Sequence, residues 1–111
     1  MTAESMKQAT EAFAEACRQI YGSKLHSIVL FGSCARGDFE KDSDIDIMVL
    51  LDVSHQEAAT VQWELLTVAN QLDLTYDVVL SPVIQSYETF QSYLPASGFF
   101  KSVEEEGIKI A

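Results

Sequence analysis

The chain has 111 residues, 48% of them hydrophobic, which is enough for one compact core, and we expect a single domain over residues 1–111. It contains neither the roughly 20-residue apolar run of a membrane span nor the basic start and apolar stretch of a signal peptide, so we expect a cytoplasmic protein. The net charge of −10, with only seven Lys and Arg residues, argues against direct binding of a long nucleic acid, because such binding depends on cations that neutralise phosphates.

The first half of the chain carries one helix signal followed by two strand signals. Apolar residues at spacings of three and four over residues 6–20 predict a helix of about 17 residues, which ends at Gly22. Residues 28–31 form a short apolar run and predict a buried strand that stops at Gly32. Residues 44–51 predict a second strand with acids at its first and third positions.

The second half continues with a helix, a strand and another helix. A capping pattern at Ser54 predicts the start of a helix with an apolar stripe. Residues 75–80 predict a third strand that contains one charge, Asp77. The pair at 81–82, Ser then Pro, is typical of a helix start, and Pro95 ends this helix.

The chain closes with a predicted short helix over about residues 98–106 and a small edge strand at 108–110. The order α-β-β-α-β-α-α predicts an α/β (α+β) fold class, with one mixed β-sheet and helices packed against it. No repeat, linker or low-complexity segment interrupts this pattern, in keeping with a single domain.

The turn at Gly32 and Ser33 has the features of an anion-binding site. Backbone N–H groups in a turn that leads into a short helix form a concave set of donors. Glycine lets a phosphate approach without a Cβ in the way, and the Ser33 hydroxyl adds a donor. Because Gly-Ser is common in turns, an ordinary strand-to-helix connection stays an alternative.

Asp44 and Asp46 are two residues apart on the second predicted strand. Alternation along a strand places both carboxylates on one face, while Ile45 and Ile47 point into the core on the other. Two such carboxylates repel one another unless a cation lies between them, and Mg²⁺ prefers hard oxygen ligands of this kind. A solvated strand end is the alternative interpretation.

Asp77 is a lone acid in an otherwise apolar segment. A charge in a buried strand must be paired or bind a metal, so we expect Asp77 to face the same cluster as Asp44 and Asp46. It would then be a third metal ligand and a base near an acceptor hydroxyl. The alternative is an edge-strand residue that faces solvent.

Gly32-Ser33, ten intervening residues, Asp44-x-Asp46 and a later strand Asp together resemble the DNA polymerase β-like nucleotidyltransferase superfamily. The full string from Gly32 to Asp46 resembles its minimal nucleotidyltransferase branch, and the resemblance covers nearly the whole chain. It implies one nucleotidyltransferase-fold domain that transfers AMP from ATP to a tyrosine of a HEPN-type toxin. The chain would then be the antitoxin of that pair, in a hetero-oligomer with the toxin.

The resemblance also implies a role for each residue of the motif. Gly32 and Ser33 would hold the triphosphate of ATP. Asp44 and Asp46 would bind two Mg²⁺ ions, and Asp77 would be the third carboxylate, shared between metal binding and activation of the acceptor hydroxyl.

Arg36 matches an arginine that the family carries in the same loop, and it would steady the leaving pyrophosphate. Its alternative role is a salt bridge to Asp38 or Asp42. Two other functions of the whole chain stay open. It could neutralise a partner by contact alone, for which the aromatic C-terminal region offers a surface, or it could modify a small molecule such as an antibiotic.

Overall fold

A computed structural model describes residues 1–111 and contains six α-helices and four β-strands. The helices are α1 (Ala3–Tyr21), α2 (Gly32–Arg36), α3 (His55–Thr60), α4 (Trp63–Tyr76), α5 (Tyr87–Tyr93) and α6 (Gly98–Glu106). The strands are β1 (Leu25–Phe31), β2 (Ile45–Leu51), β3 (Leu80–Ser86) and β4 (Ile108–Lys109). None of the helices combines the length and the apolar character that a bilayer crossing requires.

The four strands form one mixed sheet in the order β3-β2-β1-β4. Strand β2 runs antiparallel to β1 and parallel to β3, and β4 pairs antiparallel with β1. The predicted fold class, a mixed sheet with helices packed against it, is therefore confirmed. Because β2 is an inner strand, it is buried at every position except Asp46, which is partly exposed.

The side chains of β2 divide between two cores. Ile45 and Ile47 belong to the larger cluster, which the sheet forms with α1 and α4. Met48 and Leu50 belong to a smaller cluster on the other face, together with Phe90 of α5 and Val103 of α6. Asp46 alternates with Ile45 and Ile47, as predicted, and so lies on the face that α5 and α6 cover.

The third strand lies later in the chain than predicted. Residues 75–80 were expected to be a strand, but α4 continues to Tyr76, Asp77 caps it in a left-handed conformation, and β3 starts only at Leu80. Seven residues of β3 pair in parallel with the seven residues of β2. This extensive pairing outweighs the local preference of the Ser-Pro pair for a helix start, and Pro82 is tolerated because β3 is an edge strand.

Two other helix boundaries also differ from the prediction. The helix expected from position 81 starts instead at Tyr87, where the Ser86 hydroxyl accepts a hydrogen bond from the N–H of Thr89. The helix expected after Ser54 is divided, because α3 ends at Thr60 and α4 starts at Trp63. The helix at 98–106 is as predicted, and the final edge strand is confirmed at Ile108–Lys109.

Candidate active site

The turn between β1 and α2 is shaped by a close approach between Gly32 and Asp46. Gly32 has a φ of +71°, which glycine adopts readily and other residues do not. A Cβ at position 32 would overlap Oδ2 of Asp46 and would lie 3.2 Å from its Cγ. No side chain caps the start of α2. The turn therefore presents uncapped backbone N–H groups next to a carboxylate.

Asp44 and Asp46 form a pair of carboxylates at the start of β2. Asp44 is exposed and Asp46 is half-buried. Burial raises the pKa of Asp46 above its usual value, the charge of Asp44 raises it further, and the charge of Arg36 lowers it. Arg36 thus offsets only part of the desolvation and of the repulsion that act on Asp46. A hard divalent cation fits this donor set, because it would relieve both the desolvation and the repulsion.

Helix α2 is fixed against the start of β2 by Cys34. This side chain is buried, and its Sγ donates to the backbone carbonyl of Asp44 at 3.5 Å. Burial raises the pKa of the Cys34 thiol, which keeps it protonated as the donor. The Ser33 carbonyl accepts hydrogen bonds from the N–H groups of Gly37 and Asp38, at 3.0 and 3.2 Å. Ser33 itself is half-buried at the turn.

Arg36 lies at the end of α2 and forms two ion pairs. Its Nε is 3.3 Å from Oδ2 of Asp38, and its Nη1 is 3.5 Å from Oε2 of Glu106 in α6. The salt bridge to Asp38 that we considered as an alternative is therefore present, while the contact to Glu106 was not predicted. Nearly half of the Arg36 side chain is exposed, so the guanidinium remains accessible from solvent.

Asp77 does not lie where the sequence predicted. It is an exposed residue with a φ of +54° at the end of α4, and its N–H donates to the carbonyl of Asp73. No set of three His, Cys, Asp or Glu side chains in the chain lies close enough to bind one metal ion. The expected convergence of Asp77 with Asp44 and Asp46 is thus not observed. A short aspartate side chain tolerates the left-handed conformation, which explains this residue as a helix cap.

Ser81 occupies the position beside Asp46 that we expected Asp77 to fill. The Cα partner of Asp46 is Ser81 on β3 and Phe31 on β1, so the three residues form one row across the sheet. Paired residues point to the same face, which places the Ser81 side chain on the same face as Asp46 and on the neighbouring strand. Ser81 was not predicted as a site residue, because only the alignment of β2 with β3 brings it beside Asp46.

Comparison with known proteins gives consistent matches. A family model described as a nucleotidyltransferase domain matches residues 11–110. One protein of Methanocaldococcus jannaschii is 35% identical over 101 residues, covering 91% of this chain and 93% of that protein. A second from the same organism is 31% identical over 91 residues, covering 82% and 84%. Both carry names that assign them provisionally as protein adenylyltransferases.

Solved structures share the fold. A minimal nucleotidyltransferase structure aligns with a TM-score of 0.63 at 22% identity, covering 97% of this chain and 95% of that chain. A crystal structure of a toxin–antitoxin with AMP-PNP aligns with a TM-score of 0.58 at 27% identity, covering 91% and 72%. The predicted nucleotidyltransferase fold is thereby confirmed.

Proposed function

The chain belongs to the family of nucleotidyltransferase domains, and we propose that it transfers AMP from ATP to a hydroxyl group of a partner protein. The observation that carries this proposal is the approach of the Asp46 carboxylate to the Gly32 turn, with Asp44 beside it. Phosphoryl transfer depends mainly on alignment and on neutralisation of charge. The turn and the two carboxylates would supply the alignment, and a divalent cation held by the carboxylates would supply the neutralisation. The provisional names of the two archaeal relatives support AMP as the transferred group.

The carboxylates are the proposed metal ligands. Asp44 and Asp46 would hold Mg²⁺, with two ions as the family resemblance implies. Bound there, Mg²⁺ would neutralise charge on the triphosphate and on the attacking and leaving oxygens. Asp46 lies on an inner strand and Asp44 directly precedes it, so little reorganisation of the backbone would be needed.

The turn and Arg36 are the proposed binding site of the triphosphate. The backbone N–H groups after Gly32 and the Ser33 hydroxyl would donate to phosphate oxygens. Arg36 would leave its exposed partner Asp38 and contact the leaving pyrophosphate, because a guanidinium binds phosphate oxygens well. These groups all lie on the β1 side of Asp46, so the acceptor hydroxyl would approach from the β3 side, past Ser81.

The proposed acceptor belongs to a separate protein. A toxin–antitoxin structure that aligns over 91% of this chain supports a toxin as the partner. We propose a HEPN-type toxin whose tyrosine accepts AMP, within a hetero-oligomer of the two proteins. Asp77 is not part of the proposed metal site, because it is an exposed helix cap.

The test is an adenylylation assay with purified proteins. The chain is incubated with ATP, Mg²⁺ and the purified product of the neighbouring gene as the candidate toxin, and intact mass spectrometry of that protein is expected to show an added AMP. The variant Asp44→Asn with Asp46→Asn is expected to give no adduct, and Asp52→Asn, just beyond the far end of β2, is expected to give the wild-type yield. An unmodified toxin with the wild-type chain, or an equal yield with the double variant, would overturn the proposal.

A second function is favoured by the lack of a third carboxylate beside Asp46. The chain would then neutralise its partner by contact, without chemistry. In cells that express the toxin, the double Asn variant would suppress toxicity as well as the wild-type chain does. Loss of suppression in that variant, with its complex with the toxin intact, would exclude this function.

A further inference from the structure

We infer that Phe99 is the platform on which the base of the bound nucleotide stacks, with Phe31 as its support. The inference rests on the proposed function, because it concerns the other end of the same ligand. The triphosphate and the base of a nucleotide are separated by one sugar ring, so an aromatic surface that stacks on the base would lie close to the phosphate turn.

Phe31 connects this surface to the site. It is the last residue of β1 and directly precedes Gly32. It is also the Cα partner of Asp46 in the β1–β2 pair, so its ring is on the face that carries the carboxylate. Any ligand that contacts the Gly32 turn and Asp46 together therefore lies next to Phe31.

Phe99 extends the aromatic surface from Phe31 towards solvent. The two rings meet edge to face, with centroids 5.6 Å apart and planes at 74°. Phe99 remains 49% exposed, which is unusual for a phenylalanine and leaves ring surface without a cover. A flat apolar face of this kind is what a nucleobase requires, since every base has a π-face and stacks on aromatic side chains.

The exposed ring is held in place by a series of aromatic contacts. Phe99 lies 5.8 Å from Phe100, and Phe100 lies 4.9 Å from Phe90, which is buried in the smaller core. At the far end of α6, Glu106 pairs with Arg36 of α2. Helix α6 thus lies beside α2, with Phe99 next to Phe31 at one end and Glu106 next to Arg36 at the other, and the buried contact of Phe100 with Phe90 holds the Phe99 end in place.

Two other exposed aromatic residues differ from Phe99 in this respect. Trp63 is 67% exposed and Tyr93 is 61% exposed, but neither forms a ring pair with another aromatic residue. Phe99 alone among the three contacts a residue that adjoins Gly32. This position favours the nucleotide base over a partner protein as the group that covers Phe99.

Calorimetry with two ligands tests the inference on the full chain, with Mg²⁺ present throughout. Phe99→Leu keeps an apolar side chain but removes the π-face, and it is expected to weaken ATP binding on the order of tenfold. The same variant is expected to bind inorganic tripolyphosphate as the wild type does, because that ligand has no base. Tyr93→Leu, the matched exposed control, is expected to leave both affinities unchanged.

Several results would overturn the inference, and they can be distinguished. Wild-type ATP affinity in Phe99→Leu would assign the ring to a partner surface, and an equal loss for both ligands would make it purely structural. A wild-type chain that binds neither ligand would instead defeat the proposed function, and this inference with it. As a direct check in a Trp63→Phe background, Phe99→Trp is expected to give fluorescence that ATP quenches and tripolyphosphate does not; quenching by neither ligand would also contradict stacking.

Discussion

The Asp46 carboxylate lies in the space that a Cβ at position 32 would occupy. This contact connects the end of β1 to the start of β2. It places the partly buried Asp46 next to the turn at Gly32, which has the backbone geometry of a phosphate-binding turn. Gly32 is therefore required for two reasons, its φ of +71° and the room it leaves for Asp46. The geometry of the proposed site depends on this one approach.

Gly32→Ala is expected to reduce both stability and nucleotide binding. The left-handed conformation costs about 1–2 kcal/mol for a residue with a Cβ, and displacement of Asp46 adds to this cost. Gly37→Ala is the matched control, because Gly37 has a φ of +81° but no atom within 4 Å of its Cβ position. Urea unfolding is expected to show a lower free energy of unfolding in both variants. ATP binding is expected to be lost only in Gly32→Ala. Equal ATP binding by the two variants would contradict the role of the contact.

Ser81→Asp places a third carboxylate beside Asp46. A metal site gains affinity with the number of charged ligands, so we expect the Mg²⁺ concentration that half-saturates ATP binding to fall by roughly tenfold. Asp77→Asn is expected to leave this concentration unchanged, because Asp77 is an exposed helix cap. Fluorescence titration with a labelled ATP analogue measures both variants. A higher half-saturating Mg²⁺ concentration in Asp77→Asn would instead place Asp77 at the metal site with Asp44 and Asp46.

Arg36→Ala is expected to weaken ATP binding by roughly tenfold, since a charge-assisted contact to phosphate is lost. Both ion pairs of Arg36 are exposed, so the thermal midpoint is expected to stay the same. Arg18→Ala removes a comparable exposed pair to Glu15 on α1 and serves as the control. If Arg36→Ala binds ATP as tightly as the wild type and Arg18→Ala do, Arg36 does not contact the phosphates, and its contacts are limited to the ion pairs with Asp38 and Glu106.

Cys17 is expected to make the fold sensitive to alkaline pH. Burial raises the pKa of its thiol from 9.0 to about 12. The folded state therefore keeps a proton that the unfolded state releases, so stability is intact below pH 9 and falls as pH rises towards 12. At about pH 10.5 we expect a loss on the order of 2 kcal/mol relative to about pH 8, measured by urea unfolding.

The variant Cys17→Ala separates this effect from others. It is expected to be less stable at neutral pH because a buried atom is removed, but its stability is expected to change less with pH. Some dependence of stability on alkaline pH remains in this variant, because burial also raises the pKa of Tyr21 to about 12. If wild type and variant lose the same free energy of unfolding as the pH rises, the thiol of Cys17 is not the cause of that loss.

Much of the site could be predicted from local sequence, because its parts are local. A glycine at position 32 leaves room for a close approach whatever surrounds it, and alternation along one strand places Asp46 on the face opposite Ile45 and Ile47. The helix at 98–106 was also predictable from its local pattern, and in the structure Ser97 caps its start and Gly107 its end. These features depend on residues that are close in sequence.

The position of β3 could not be predicted, because it is decided by pairing with a distant strand. Residues 75–80 have a strand-like composition, yet the Asp73 side chain accepts a hydrogen bond from the Leu80 N–H at 2.8 Å and connects α4 to β3. Pairing of Asp46 with Ser81 follows from that register. This register leaves Asp77 outside the site and brings Ser81 beside Asp46. The prediction of Asp77 as a third metal ligand failed because it depended on this long-range pairing.

Calorimetric titration of ATP, with Mg²⁺ and with a chelator, tests the central claim most directly. If Asp44 and Asp46 form the metal site, Mg²⁺ is expected to tighten ATP binding by at least roughly tenfold in the wild type. The variant Asp44→Asn with Asp46→Asn is expected to lose this difference while it keeps its fold. Equal ATP binding with and without Mg²⁺ in the wild type, or a full Mg²⁺ effect in the double variant, would contradict the claim.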